Sequence, residues 1–478
     1  MNKDKIKEIV LNFITTAQIT LFLQTVISIA FVYYLLVLNI LPTSIIIGVA
    51  IVLLILLVAN YFLQRKSKKI GVRSILSRII SIVLCVFLLM GCFYIRRTNT
   101  SIKKIGNDHY ETVVYSVIVL NDSQIQDVKE LANKKVSINV SINNDLSTKA
   151  KKNVDAKASD IQWNFSPDYS SLSDELYQKQ CDAIVINEAY RGIIEETHPE
   201  FDNETRVLYT IDTAKSKTES AKNITNGVFN IYISGIDTAG PISTVSRSDV
   251  NMVLSVNMNT HEILMTSIPR DMYVKLRTSG EYDKLTHSGI YGIDETVGTI
   301  EDFLGISINY YVRVNFSSVI TLVDAIGGVD VYSDQEMNLS GYHYDLGMNH
   351  LNGEEALRFA RERHSYASGD LHRTQNQQEV LTAIIQKMAS FDTLSNYDEV
   401  LTAVEGVFNT NMPSEDIKSI AKQQVENMTS WTINHQYVTG TGTRMYGLYS
   451  MPNSYLYTTI PDENAVKKCQ QAIKNTLE

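Results

Sequence analysis

"GIDETVGTIEDFLGISINYYVRVNFSSVITLVDAIGGVDV", Gly292–Val331, sets two periodicities side by side. "GIDETVGTIEDFLG" has apolar residues at helical spacing with polar ones between them, which predicts an amphipathic helix. "NYYVRVNF" predicts a strand. "SSVITLVDAIGGVDV" predicts a second helix, ended by Gly327 and Gly328, and then another strand. Helices and strands mixed in this way imply a layered α/β/α sandwich with a central mixed sheet.

The neighbouring segments extend the pattern. "VFNIYISGID" predicts a strand over Val228–Ser234 with a turn at Gly235. "SDVNMVLSVN" and "HEILMTSIP" predict two more, joined by a tight turn at Met258–Thr260. "NGEEALRFA" predicts a helix. Asp370 is the expected N-cap of a long helix, Leu371–Met388, whose Val380, Leu381, Ile384, Ile385 and Met388 form an apolar stripe. This domain is placed at 226–478, with its motifs between 228 and 390 and a C-terminal extension. Upstream, "YETVVYSVIVL" predicts a strand over Val113–Leu120, and "VKELANKKVSINV" a helix and a strand. "SSLSDELYQKQCDAIVIN" predicts a helix from near Ser173 and a buried strand at Ala183–Asn187. Together they predict a small α/β accessory domain at 108–222 without a catalytic constellation. "KSKTESAKNITNG" reads as a linker.

Residues 1–97 are a different material. No charged residue occurs between Glu8 and Arg65, a stretch rich in Leu, Ile and Val. One crossing needs roughly 20 apolar residues, so this stretch fits two, turning near Asn39–Thr43. A third apolar run spans Ile79–Ile95, which Ile75 and Leu76 can lengthen. The loop "RKSKKIGVRSILSR" carries Arg65, Lys66, Lys68, Lys69, Arg73 and Arg78. The positive-inside bias puts it in the cytoplasm with the N-terminus and sends everything after the third run outside. Arg96, Arg97, Lys103 and Lys104 pull the other way. Residues 1–97 hold eleven basic residues against Asp4 and Glu8, leaving 32 basic against 50 acidic residues in the remainder. So acidic a body argues against a nucleic-acid-binding face. Outside the spans only Cys181 and Cys469 remain, too few for a disulfide scaffold.

Inside that acidic body, "ALRFARERHSYASGDLHRTQNQQ", Ala356–Gln378, gathers Arg358, Arg361, Arg363 and Arg373. Arg358 follows Glu354 by four residues on the expected helix and reads as an ion pair with it. If "RER" is extended, Arg361 and Arg363 share a face. Stepping back by four from Leu381 gives Gln377 and Arg373, on the buried side of the long helix at its N-terminal end. These arginines and the helix terminus suit one anion, phosphate best of all. Arg247 and Asp249 share a face if extended, Arg270 follows a strand end, and Asp237 follows the strand turn at Gly235. Strand ends are where α/β sheets take ligands. Asp237 and Asp249 either hold a hard cation such as Mg²⁺ or orient an arginine. There is no P-loop, no G-x-S-x-G elbow and no zinc spacing among the nine histidines. His287, His364 and His372 read as surface or pocket-rim residues.

Four ordered motifs resemble the LytR–CpsA–Psr family: "SRSDVNMVLSVN", "MTSIPRDMYV", "YDKLTHSGIYGIDETVGTIEDFLGISINYYVRVNFSSVITLVDAIGGVDV" and "LNGEEALRFARERHSYASGDLHRTQNQQ". The three spans and the extra outer domain match the layout of its capsule-locus members. The resemblance implies a phosphotransferase that moves capsular polysaccharide from undecaprenyl-pyrophosphate to cell-wall peptidoglycan. It implies a prenyl tail in a hydrophobic tunnel and a bound Mg²⁺ (or Mn²⁺). Carried over, the metal ligands are Asp237 and Asp249. The pyrophosphate ligands are Arg247, Arg270, Lys284, Arg361, Arg363, Arg373 and Gln377, with Arg270, Arg361, Arg363 and Asp249 closest to the chemistry. One departure stands out: Asn376 occupies a position where members often have a second arginine. The expected setting is the plasma membrane, with the later domains on the cell-wall side of a Gram-positive cell. The expected partners are the carrier-linked polymer, peptidoglycan and other capsule-assembly proteins, with no nucleic acid. The same family has been described as transcriptional regulators. The cytoplasmic part expected here, about 18 N-terminal residues and a loop of about 14, is too small for a recognition fold. Water in place of the acceptor would make the protein a pyrophosphate hydrolase, and loss of turnover a non-catalytic assembly anchor.

Overall fold

The structure, a computed structural model, describes residues 17–65, 72–106, 110–141, 144–222, 224, 226–236, 241–366, 369–390, 400 and 403–478. It contains two compact units. One comprises residues 1–107, 388–405 and 413–430, the other 108–387, 406–412 and 431–478.

The first unit holds three helices long and apolar enough to span a membrane, Ala17–Leu38, Thr43–Arg65 and Val72–Ile105. The chain turns between the first two at Asn39, whose φ is 53°. The third runs well beyond the apolar core Ile79–Ile95, because nothing between Val72 and Ile105 breaks a helix. Residues 66–71, which hold Lys66, Lys68 and Lys69 of the basic loop, lie outside the described residues, and the loop's later residues belong to the third helix. Polar side chains join the three helices. The Asn60 amide and the Ser81 hydroxyl both donate to Gln24 Oε1, at 3.0 and 2.9 Å. Ser77 donates to Asn60 at 2.9 Å. In a bundle that gains little from apolar burial, such bonds hold helices together.

The second unit contains two sheets. The accessory sheet has five strands, β1 (Tyr110–Leu120), β2 (Lys135–Asn139), β3 (Gln162–Ser166), β4 (Ala183–Asn187) and β5 (Thr205–Lys217), in the order β3-β2-β4-β1-β5. Alternation along β1 sends Tyr115, Val117 and Val119 to one apolar cluster and Ile118 to another. The second cluster also contains Val245, Ile290, Leu448 and Leu456, which belong to the larger domain. The two domains therefore share a core. Buried Glu111 adds a tie, accepting from the Ile293 N–H at 2.9 Å and pairing with Arg313.

Three expectations shift here. "VKELANKK" forms only a 3₁₀ turn, Val128–Leu131, because Asn133 adopts φ 61°. The helix expected from Ser173 is Tyr169–Tyr177, N-capped by Asp168. The expected linker begins inside β5, and beyond it Glu219 N–H donates to Asp294 and Lys222 N–H to Asn309.

The larger sheet has six strands, β6 (Val228–Ile236), β7 (Ser248–Asn257), β8 (Glu262–Ile268), β9 (Tyr310–Val314), β10 (Asn409–Thr410) and β11 (Thr432–Tyr437), in the order β10-β9-β6-β7-β8-β11. β9 runs parallel to β6 and β11 parallel to β8, while the other pairs are antiparallel. Helices Ile293–Leu304 and Glu463–Leu477 cover one face, packing Ile300, Leu304, Val466 and Ile473 on Tyr232, Val253, Leu264 and Ile268. Helix Asp370–Met388 lies on the other face, where buried Gln378 donates to Ser267 Oγ at 3.0 Å and to Gln436 O at 2.9 Å. This is the expected three-layer sandwich. The C-terminal residues are integral to it, since they supply an edge strand and a covering helix. Helix Phe316–Ala325 packs on Gly353–Arg361 so closely that a Cβ at Gly353 would lie 2.4 Å from the Ile320 carbonyl oxygen.

Candidate functional site

Sheet register positions the first pair. Asn251 on β7 lies opposite Ile268 on β8. Continuing the same antiparallel register sets Asp249 against Arg270, and Arg270 Nη1 lies 3.3 Å from Asp249 Oδ2. The Thr286 hydroxyl donates to Asp249 Oδ1 at 3.0 Å, brought there by its own N–H on the Arg270 carbonyl at 2.8 Å. Burial opposes the charge on Asp249. The Arg247 and Arg270 guanidiniums, the Thr286 hydrogen bond and Arg373 together outweigh it and hold the carboxyl below its usual range. Four separate segments thus act on one carboxylate.

A second carboxylate comes from the accessory domain, where no site residue was expected. Glu196 lies on helix Arg191–Thr197. Its oxygens are 3.1 Å from Lys284 Nζ, 3.5 Å from His287 Nε2 and 3.6 Å from Arg247 Nη1. Burial raises its pKa, but the His287 hydrogen bond and the charges of His287, Lys284 and Arg247 prevail and bring it to about 2. Arg247 Nη1 also donates to the Gly192 carbonyl at 2.9 Å. A Cβ at Gly192 would lie 2.1 Å from that guanidinium carbon, so this approach needs glycine. Asp271 joins the two halves, 3.2 Å from Lys284 Nζ and 3.7 Å from Arg270 Nε.

His287 is fully buried, which corrects the rim reading. Its Nδ1 lies 2.7 Å from Asp283 Oδ1 and 2.8 Å from Ser450 Oγ. The Ser450 N–H donates to Asp283 Oδ2 at 2.8 Å. Burial alone would lower the His287 pKa. Asp283 and Glu196, one on each ring nitrogen, raise it instead. Exposed His364 and half-buried His372, stacked on Tyr366, do sit at the surface. With His287 protonated, Arg247, Arg270, Lys284, His287 and Arg373 face Glu195, Glu196, Asp249, Asp271 and Asp283. Cations and carboxylates balance.

The quoted arginines divide differently. Arg358 pairs with Glu354 at 2.7 Å, as read from the spacing. "RER" is not extended: helix Gly353–Arg361 includes Arg361, and Glu362 is its C-cap. Alternation therefore does not align Arg361 with Arg363. The exposed Arg361 guanidinium lies 3.9 Å above the Phe316 ring. Arg363 is also exposed, with Nε 3.4 Å from His364 Nε2. Among the described residues neither has a carboxylate within ion-pair distance. Arg373 and Gln377 are half-buried. The long helix begins at Asp370 itself, one residue earlier than expected. Asn376 is buried and donates to the Phe359 carbonyl at 3.1 Å, near the end of the preceding helix. The departure from the family motif thus gives this chain a structural amide.

Asp237 lies outside the described residues. Among those described, no three metal-ligating side chains cluster. Asp249 nevertheless fits a hard cation. It is held ionised, Thr286 and Arg270 each engage one of its oxygens, and Mg²⁺ needs only one or two carboxylates besides phosphate oxygens and water. Sequence reasoning passed over Asp283, although Asp283 and His287 stand i,i+4 in "DKLTH". Asp271 was adjacent to Arg270. Nothing local marks Glu196, whose partners lie 88 and 91 residues away.

Comparison with known proteins adds context. The LytR_cpsA_psr family matches residues 201–474. A polyisoprenyl-teichoic acid–peptidoglycan teichoic acid transferase TagU from Enterococcus faecalis is 32% identical over 272 residues, 56% of this chain and 86% of that protein. The TagU of Bacillus mycoides is 37% identical over 212 residues, 44% of this chain and 69% of its own length. The crystal structure of B. subtilis TagV aligns with 53% of this chain and 98% of that one at 28% identity, with a TM-score of 0.45.

Proposed function

Because this chain belongs to the LytR–CpsA–Psr family, we propose that it is a membrane-anchored transferase that moves a glycopolymer from a polyisoprenyl carrier to peptidoglycan. The observation that carries the reading is the set of four segments converging on Asp249 near the start of β7, with exposed Arg361 and Arg363 left without carboxylates among the described residues. Such arginines suit a pyrophosphate, whose oxygens accept bidentate hydrogen bonds. In finer terms the polymer is a capsular polysaccharide carried on undecaprenyl-pyrophosphate. The three-span module and accessory domain, which match the capsule-locus layout, support that choice. The surplus of basic residues in the loop after the second span supports a cytoplasmic N-terminus and catalysis on the cell-wall side of the plasma membrane.

The reaction is phosphoryl transfer, which depends on positioning and charge neutralisation more than on a covalent nucleophile. A sugar hydroxyl of peptidoglycan attacks the phosphorus nearest the polymer. A new P–O bond forms, the bridging P–O bond breaks, undecaprenyl phosphate leaves with that bond's electron pair, and the hydroxyl proton passes to the departing phosphate. Arg361, Arg363 and Arg270 stabilise the charge that develops on the bridging oxygen. Arg373, Gln377 and Arg247 orient the diphosphate. Lys284, already shared by Glu196 and Asp271, acts by holding the cluster in shape. Asp249 is too weak a base at its lowered pKa to take the hydroxyl proton, so its role is to orient Arg270 and, with Asp237, to hold Mg²⁺ or Mn²⁺. When bound, the cation would supply Lewis acidity to the phosphate.

The test uses purified full-length protein, a short undecaprenyl-pyrophosphate-linked oligosaccharide, Mg²⁺ and peptidoglycan fragments. The expected product is a phosphodiester-linked conjugate, formed together with undecaprenyl phosphate and lost in Arg361→Ala. Undecaprenyl phosphate released without conjugate would replace this reading with hydrolysis. Unchanged conjugate formation in Arg270→Gln, Arg361→Gln and Arg363→Gln would refute the arginine assignment.

A further inference from the structure

Outside the spans seven tyrosines are exposed among the described residues, and six of them fall in two short segments: Tyr282 and Tyr291, then Tyr446, Tyr449, Tyr455 and Tyr457. The proposed reaction uses none of them. Strands Gly440–Met445 and Leu456–Pro461 form an antiparallel ribbon in which Gly442 faces Thr459 and Arg444 faces Tyr457. One step further along that register Tyr446 meets Tyr455, and their rings lie 4.9 Å apart. Alternation puts Gly442, Arg444, Tyr446, Tyr455, Tyr457 and Thr459 on one face, with buried Leu456 and Thr458 on the other. The Tyr457 ring lies across Gly442. A Cβ there would stand 2.4 Å from the Tyr457 hydroxyl oxygen and 3.0 Å from two of its ring carbons. Glycine thus lets a half-exposed ring rest on the strand. The face runs into the candidate site. The Thr459 N–H donates to the Asp271 carbonyl at 2.8 Å, and the Tyr449 N–H to the Tyr282 carbonyl at 3.1 Å, two residues before Lys284. The Tyr291 ring lies 6.0 Å from that of Tyr449.

An exposed aromatic patch of this kind marks a binding surface. Its chemistry selects the occupant. The electron-rich face of a tyrosine ring attracts the C–H groups on the flat side of a sugar, and its hydroxyl bonds to sugar hydroxyls and amides. A membrane-seated face would instead present aliphatic side chains, and the ribbon places none on this one. Arg444 is the one charged side chain the ribbon puts there. It suits a scattered carboxylate and is too little for a diphosphate. We propose that this tyrosine face binds the glycan strand of the peptidoglycan acceptor, an inference that rests on the transferase reading and names where its acceptor docks.

Full-length protein in phosphatidylcholine nanodiscs, titrated calorimetrically with soluble N-acetylglucosamine–N-acetylmuramic acid strands, tests this without turnover. Tyr446→Ala and Tyr457→Ala should each weaken binding about fivefold. Gly442→Ala keeps every ring but lifts Tyr457 off the strand, so it should weaken binding comparably. Tyr457→Trp offers a larger π-face and should strengthen binding, a change of opposite sign that misfolding cannot imitate. Tyr332→Ala, at the remaining exposed tyrosine, should change nothing. Strand binding unchanged in Tyr446→Ala, Tyr457→Ala and Gly442→Ala would overturn the proposal. So would a loss confined to the carrier-linked donor oligosaccharide or to phosphatidylglycerol vesicles, which would give the face to the donor or the membrane. Loss of strand binding in these variants, with no conjugate formed by the parent, would keep the face and remove the transferase reading.

Discussion

The cluster around Asp249 and Glu196 and the stretch after Phe359 are both rich in cations, but they treat them in opposite ways. In the first, every cation has carboxylates at ion-pair or longer electrostatic range, and the charges balance. In the second, Arg361 and Arg363 are exposed and lack such partners among the described residues. Paired buried cations shape the site, and exposed unpaired ones await an anion. Stability and activity should therefore separate between the two groups.

The largest effect should come from breaking the buried side. Lys284 is 4% exposed and shared by Glu196 and Asp271. Lys284→Met removes the cation that both carboxylates share, leaves the buried cluster with one negative charge in excess, and should cost about 3–5 kcal/mol. Thermal unfolding of the full chain would record it. Unchanged stability would mean that the balanced cluster is not a structural unit.

Titration should show the same coupling. Glu196 falls from 4.5 to about 2, so its contribution, on the order of 3 kcal/mol, is complete above about pH 4.5. It is lost as pH falls towards 2. His287 is raised above 6.5, so its contribution is complete below that pH and lost as pH rises through the folded value. Stability should peak between these limits, and Glu196→Gln should flatten the acid side. An unaltered acid limb in that variant would remove Glu196 from the cluster.

How much of this was legible follows from range. The helices and strands around Gly292–Val331 were legible because each segment carries its own periodicity. Arg270, Asp249 and Arg373 were legible as strand-end and helix-face residues. Glu196 was not, because two domains sharing a core brought it in, and a shared core leaves no mark on a linker's composition. Arg361 was misplaced because a helix that outlasts its apolar pattern by one residue looks like the start of an extended segment.

On the unpaired side, Arg361→Gln and Arg363→Gln should each lower transfer about 100-fold, roughly 2.7 kcal/mol. Their unfolding should stay within about 0.5 kcal/mol of the parent, since neither gives up an ion pair. Release of undecaprenyl phosphate and thermal unfolding, measured on the same preparations, would check both halves. A fall in stability matching the loss of transfer would dissolve the contrast.

Arg358 supplies the sharpest control because it shares the helix and the charge but not the circumstance. It pairs with Glu354 four residues earlier, and both side chains are more than a third exposed. Solvent screening limits such a pair to about 0.3–0.5 kcal/mol. Arg358→Ala should therefore move unfolding by no more than that and leave transfer unchanged. Local charge density would be altered as much as in Arg361→Gln, so a general attraction between a basic helix and an anionic polymer would weaken equally in both variants. A loss of transfer in Arg358→Ala approaching that of Arg361→Gln would show that the stretch works through its total charge. An unaffected Arg358→Ala would leave the missing counter-ion as the property that separates ligand-binding arginines from the rest.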